Sequence, residues 1–249
     1  MVVRGQPSPR PTKLLVAAVI GGAALLAAVM VGASVLGSRG DSSPARGPAA
    51  VPAAKVAAAA ETEALLRGIP QDGVALGSPD APVTLVEYAD LQCPYCAIWA
   101  RDAFPAVVDE YVRPGHVRLV FRGLAFIGPE SDTALRTALA AGSQGRLWHV
   151  VHLLYGNQGA ENAGWVTDEL LGELGRSVGG LDSARMLAER GSAPVERELA
   201  AAQRAAGAAG IQGTPSFQAG PTGGALEPLP VTSLGPEEIR ARLDALLAR

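Results

Sequence analysis

Only two cysteines, Cys93 and Cys96, occur in 249 residues, together with three histidines, His116, His149 and His152. A structural zinc site needs four ligands, commonly two matched Cys/His pairs, and no second pair exists here. No cysteine stands directly after the apolar N-terminal run, which excludes a lipoprotein anchor. Neither an internal repeat nor a glycine-rich nucleotide-binding loop is present. Basic residues are also scarce where a nucleic acid would need them. Residues 1–48 carry Arg4, Arg10, Lys13, Arg39 and Arg46 against the single acid Asp41, so the remainder of this −3 chain is acidic. An acidic folded region argues against a nucleic-acid partner.

The stretch Leu14 to Leu36 lacks charge altogether. At about 1.5 Å per residue such a helix reaches roughly 34 Å, enough for a hydrocarbon core of about 30 Å. A cleaved signal peptide has a shorter apolar segment of about 7–15 residues, so the reading is a retained membrane anchor. The basic tail 1–13 and its short length place it on the cytoplasmic side, with the rest of the chain outside. A Ser/Gly/Pro/Ala-rich tether follows, and residues 37–68 are assigned as a flexible linker. Within it, Lys55 to Arg67 reads either as a short helix on the domain or as more stalk.

What is present centres on Glu87-Tyr88-Ala89-Asp90-Leu91-Gln92-Cys93-Pro94-Tyr95-Cys96. Val83 to Tyr88 is rich in branched and aromatic residues and predicts a buried strand. A helix running to Tyr111 should follow, with Pro94 in its first turn and Pro105 as a kink. Cys93 then stands at an open helix N-terminus, where unpaired N–H groups and the helix dipole stabilise a thiolate. A purely structural disulfide is the alternative, but a two-residue spacer closes too small a loop to gain much. The pair reads as a dithiol–disulfide exchange centre that needs neither cofactor nor metal.

The folded region should begin near Ile69. Gly73 to Leu76 reads as a short strand, Gly77 to Pro82 as turns, and Val117 to Phe121 as a further strand. From Pro129 to Ala209 the chain becomes helical. Ser131-Asp132, Thr167-Asp168 and Asp182-Ser183 are candidate helix caps, residues 146–155 form one helix and Pro194 to Ala209 another. The histidines of 146–155 read as packing or surface residues. Gly213-Thr214-Pro215 suggests a tight turn with a cis peptide before a strand. Glu227 to Val231 is a candidate last strand and Pro236 to Ala248 a terminal amphipathic helix.

Taken together, Gly77-Ser78-Pro79-Asp80-Ala81-Pro82-Val83, Glu87 six residues before Cys93, Cys93-Pro94-Tyr95-Cys96, Gln144 to Trp148 and Gly213-Thr214-Pro215 resemble the DsbA-like thiol:disulfide oxidoreductases. The resemblance covers residues 69–249. It implies an α/β thioredoxin-like fold with an α-helical insertion at about 129–209, here preceded by one transmembrane helix. The tail departs from the family, because Gln218 to Pro228 forms a Gly/Pro-rich loop where a compact hairpin is usual. Glutaredoxins share the Cys-Pro-Tyr-Cys tetrapeptide. In folds without the insertion, however, the cis-proline follows within some tens of residues, whereas Pro215 stands more than a hundred positions past Cys96.

The resemblance implies that client thiolates attack Cys93 and expel Cys96, and that a second client thiol resolves the mixed disulfide. Pro94 and Tyr95 tune the pair, and Gly213, Thr214 and Pro215 face it and bind client backbone. Glu87 resembles the family's buried acid assisting proton transfer at Cys96. The implied function is disulfide introduction into exported proteins. The partners are reduced clients and a membrane quinone-linked reoxidase of the DsbB or vitamin-K-epoxide-reductase type. A reductase or isomerase, and a redox-inert tethered interaction domain, are the alternatives.

Overall fold

The structure, a computed structural model, describes residues 53–248. The tail 1–13, the span 14–36 and the tether up to residue 52 lie outside the described residues. Among those described, no helix is long and apolar enough to cross a membrane.

The elements run α1 (Ala53–Leu66), β1 (Gln71–Asp72), β2 (Ala75–Leu76), β3 (Val83–Ala89), α2 (Pro94–Asp102) and α3 (Phe104–Val107). A π-helical turn (Val108–Val112) leads to β4 (Val117–Gly123). Then come α4 (Pro129–Gly142), α5 (Leu147–Gly156), α6 (Asp168–Ser177), α7 (Ser183–Ala188) and α8 (Ala193–Ala208). The chain closes with β5 (Ser216–Pro221), β6 (Glu227–Pro228) and α9 (Pro236–Leu247). One sheet holds all six strands in the order β1-β2-β4-β3-β5-β6. Four helices, α4 to α7, and then α8 intervene between β4 and β5, so the expected helical insertion into an α/β sheet is present.

The central strand explains its own sequence. β3 pairs parallel with β4 and antiparallel with β5, and every residue but Thr84 is buried. A strand covered on both faces needs a nearly continuous apolar run, which Val83 to Ala89 supplies except at Glu87. β4 has one covered face and alternates, burying Val117, Leu119, Phe121 and Gly123.

Several expected boundaries move. The helix after Cys93 breaks at Ala103, ahead of Pro105, whose ring cannot continue the ladder. The predicted strand Gly73 to Leu76 is a β1–β2 hairpin, with Gly73 at φ +54° in its turn. α4 starts at Pro129 rather than behind a Ser131-Asp132 cap, because the Ser131 hydroxyl is committed elsewhere. β6 stops at Pro228, short of Val231, where the Pro228 and Pro230 rings cannot donate to a ladder. Thr167 and Asp182 do cap α6 and α7, accepting from Leu170 N and Arg185 N.

Of the two readings for Lys55 to Arg67, the helix forms and packs on the domain. Leu66 is buried, Thr62 Oγ1 lies 3.0 Å from His152 Nδ1, and Glu63 lies 3.4 Å from His149 Nε2. His149 and His152 therefore fasten α5 to α1, as packing residues would. Arg113 adds hydrogen bonds to the Leu65 and Arg67 carbonyls.

Candidate active site

Three loops meet at one end of the sheet. Parallel strands β3 and β4 both finish there, and antiparallel β5 begins there. Cys93 occupies the middle loop. It is the N-cap of α2, with extended backbone (φ −70°, ψ 120°) and Pro94 just inside the helix. Its N–H donates to Asp90 O at 3.0 Å, and its carbonyl accepts from Ala97 N at 3.1 Å. No side chain caps this terminus, so its N–H groups stay available to a thiolate.

Both cysteines are free thiols, and their environments differ sharply. The Cys93 thiol donates to the Thr214 carbonyl at 3.3 Å. Its pKa is lowered to about 6. The Cys96 thiol hydrogen bond is the first cause, and the Thr214 side chain and the backbone N–H groups of Cys96 and Tyr95 add to it against the effect of burial. Cys96 is fully buried, and desolvation, followed by the Cys93 sulfur, drives its pKa far above the ordinary thiol range. One sulfur is a ready thiolate at neutral pH. The other holds its proton.

Glu87 projects from β3 beneath the pair and is 2% exposed. Desolvation raises its carboxyl pKa to about 8, and the nearby Trp99 indole opposes this without aligning for a hydrogen bond. It is a buried acid, not an exposed strand carboxylate. Glu87, Trp99, Trp148, His152 and Tyr155 border a cavity of about 10 Å3, and neither indole N–H has a protein partner. Across the sheet Glu87 is in register with Phe217, whose ring lies 4.6 Å from that of Trp99.

The Thr214–Pro215 peptide is cis and leads directly into β5. The structure thus brings Cys93, Pro94, Cys96, Glu87, Thr214 and Pro215 together, with Gly213 on the same loop. Tyr95 points outward, 62% exposed.

Sequence reasoning assigned no role to a buried polar cluster that holds this loop. The Asp90 carboxylate is wholly buried and accepts four hydrogen bonds. Oδ1 takes Gln92 N at 2.8 Å and Ser131 Oγ at 2.7 Å, and Oδ2 takes Phe126 N at 2.8 Å and Ile127 N at 3.1 Å. The Gln92 side chain donates to Ser131 Oγ and Asn162 Oδ1 and accepts from Asn162 N at 2.7 Å. Gln158 donates to the Leu91 and Cys93 carbonyls. Gly128 makes room, since a Cβ there would strike the Asn162 side-chain oxygen. The cluster ties the Cys93 loop to α4 and to the α5–α6 connection. A polar pair at 90 and 92, inside an otherwise apolar stretch, was the available signal.

A thioredoxin-type sheet with a helical insertion, carrying a dithiol at a helix N-terminus opposite a cis-proline loop, defines the class as thioredoxin-fold redox domains. A family model described as thioredoxin matches residues 70–223, and the chain belongs to that family. A probable disulfide bond formation protein D of Bacillus anthracis is 37% identical over 98 residues, 39% of this chain and 45% of that protein. The chain thus matches under half the length of that relative. The crystal structure of oxidised BdbD from Bacillus subtilis superposes with a TM-score of 0.62 at 23% identity, covering 73% of this chain and 97% of that one. Wolbachia pipientis α-DsbA1 gives 0.61 at 18%, covering 75% and 96%. At those identities the two structures establish the shared fold, including the insertion.

Proposed function

We propose that the chain is a thiol:disulfide oxidoreductase that introduces disulfides into exported proteins. The observation carrying this reading is the asymmetry of the pair, a Cys93 with a pKa lowered to about 6 beside a buried, proton-retaining Cys96. The name of the Bacillus anthracis relative supports it.

In the oxidised enzyme Cys93 and Cys96 are joined. A client thiolate attacks Cys93 Sγ, the Cys93–Cys96 bond breaks, and Cys96 leaves with the electron pair. Cys96 takes up a proton, for which Glu87 is the adjacent donor, its carboxyl being protonated at neutral pH. A second client thiolate attacks the client sulfur of the mixed disulfide and expels Cys93 as a stable thiolate. Two electrons have then passed from client to enzyme. Stabilising the reduced form in this way makes the disulfide oxidising. Gly213, Thr214 and Pro215 bind client backbone beside Cys93, and Pro94 and Tyr95 shape the first helical turn.

Residues 14–36 anchor the domain in the cell membrane, with residues 1–13 cytoplasmic and residues 69–249 extracytoplasmic. A membrane quinone-linked reoxidase, DsbB-like or vitamin-K-epoxide-reductase-like, accepts the electrons, and the anchor raises the effective concentration of the two partners. The test is stoichiometric. Oxidised full-length protein mixed with a reduced, unfolded disulfide protein should transfer one disulfide per Cys93–Cys96 pair. No transfer would reject the reading.

A further inference from the structure

We propose that His149 is a pH-sensitive latch: uncharged, it fastens the N-terminal edge of the domain, α1 and β1, to α5, and its protonation unfastens that edge. The latch depends on neither the oxidase reading nor the membrane anchor.

A backbone group fixes the state of the ring. Trp148 N–H lies in the first turn of α5, where no carbonyl of the helix itself is in reach. It can only donate, and it donates to Gln71 Oε1 of β1 at 3.2 Å. That orients the Gln71 amide, whose Nε2, a donor, lies 3.0 Å from His149 Nδ1. Nδ1 therefore accepts, and the ring proton sits on Nε2, 3.4 Å from Glu63 Oε2 of α1. One neutral tautomer fits.

The charged ring does not. Protonation puts a hydrogen on Nδ1, directly against the Gln71 donor. Turning the amide over would set that donor against Trp148 N–H, and turning the imidazole over changes nothing, because both of its nitrogens now carry hydrogen. His149 is only 5% exposed, so water does not supply the missing acceptor in place. Glu63 favours the charged ring, but burial outweighs it, and Arg146 at the N-cap of α5 and His152 add to burial. On balance the pKa of His149 lies below the ordinary histidine value of 6.5. Gln71, the group facing it from β1, is uncharged, and Glu61 of α1 acts on His152.

Acid therefore favours any arrangement in which His149 meets water. Such an arrangement requires the N-terminal edge to move, since β1 supplies Gln71 and α1 packs on α5 with Ala59, Thr62 and Leu66 buried. β1 resists weakly, being a two-residue strand paired only with β2. His152 does not oppose its own charging in the same way. Its Nδ1 faces the Thr62 hydroxyl, which accepts as readily as it donates. Arg113 still grips the Leu65 and Arg67 carbonyls at any working pH, so the edge swings on that point.

The test is amide hydrogen exchange of the full-length protein in detergent at pH 7.5 and pH 5.5, expressed as protection relative to the unstructured rate at each pH. Protection of the α1 amides and of Trp148 N–H should fall severalfold at pH 5.5, with a ceiling of about tenfold, which one proton sets one unit below the ordinary histidine value. The β3 amides should not change. His149→Asn, whose Oδ1 takes the place of Nδ1 as acceptor and does not titrate, should hold its protection within about twofold, whereas His152→Asn should retain the fall. Should His149→Asn not fold, Glu63→Gln decides. It removes the carboxylate that favours charge on the closed ring, so its fall at pH 5.5 should be at least as large as that of the wild type. No fall in the wild type, a fall confined to Trp148, an equal fall in β3, a fall that survives in His149→Asn or is lost in His152→Asn, or a smaller fall in Glu63→Gln overturns the latch.

Discussion

The Cys93 sulfur lies 3.3 Å from the Thr214 carbonyl, although the two residues are 121 positions apart in the chain. The contact joins a helix N-terminus to the loop that opens β5. It requires the whole insertion, α4 to α8, to fold out and return the chain to the central strand. The asymmetry of the two thiols depends in part on that closure, since it also brings up the Thr214 side chain, which lowers the Cys93 pKa.

The asymmetry should be visible in the reduced protein. Alkylation of Cys93 should rise with pH through a midpoint near 6, and Cys96 should stay unreactive throughout. Cys93→Ser should abolish oxidation of a reduced test protein. Cys96→Ala should block the internal disulfide and leave Cys93 able to trap mixed disulfides. Preferential alkylation of Cys96 would reverse the assigned roles.

Glu87 sets a pH dependence of opposite sign to an ordinary surface acid. Its folded pKa, about 8, lies above the unfolded value near 4.5. The native state therefore binds the extra proton between those values, and stability from this group falls as pH rises through that window. Glu87→Gln should abolish the fall. At pH 9 it should be more stable than the wild type by an amount on the order of 4 kcal/mol, read from denaturant melts at several pH values. Parallel pH profiles for the two proteins would contradict the buried acid.

Ser131→Ala removes one hydroxyl that serves both Asp90 and Gln92. It leaves two buried polar groups short of a partner and should cost about 1–3 kcal/mol, with an unchanged denaturant slope. A loss below about 0.5 kcal/mol would show that the cluster contributes little.

Much of this was legible in the residue order, for identifiable reasons. Val83 to Tyr88 announced a central strand through its composition, and Pro94 and Cys93 announced a helix start through fixed local geometry. The Asp90 cluster was not legible. The partners of Asp90 and Gln92, Phe126, Ile127, Ser131 and Asn162, lie between 36 and 70 positions away, and only the folded chain gathers them. Ser131 misled for the same reason. A serine near a helix start looks like a cap, but a buried carboxylate across the fold competes for its hydroxyl. The ends of the Gly73 to Leu76 and Glu227 to Val231 strands moved because pairing partners, not propensity, decide where a short edge strand stops.

The proposed membrane anchor makes its own prediction. Full-length protein should partition with membranes, and removal of residues 1–36 should release a soluble domain that keeps dithiol exchange. Retention of that truncated form in the membrane fraction would contradict the assignment of residues 14–36.

The equilibrium redox potential of the Cys93–Cys96 couple, titrated against glutathione, tests the oxidase reading most directly. A Cys93 thiolate stabilised as described predicts a potential nearer about −120 mV, the value of a strong dithiol oxidant, than the roughly −270 mV of thioredoxin. A potential below about −230 mV would contradict the account and identify a reductase.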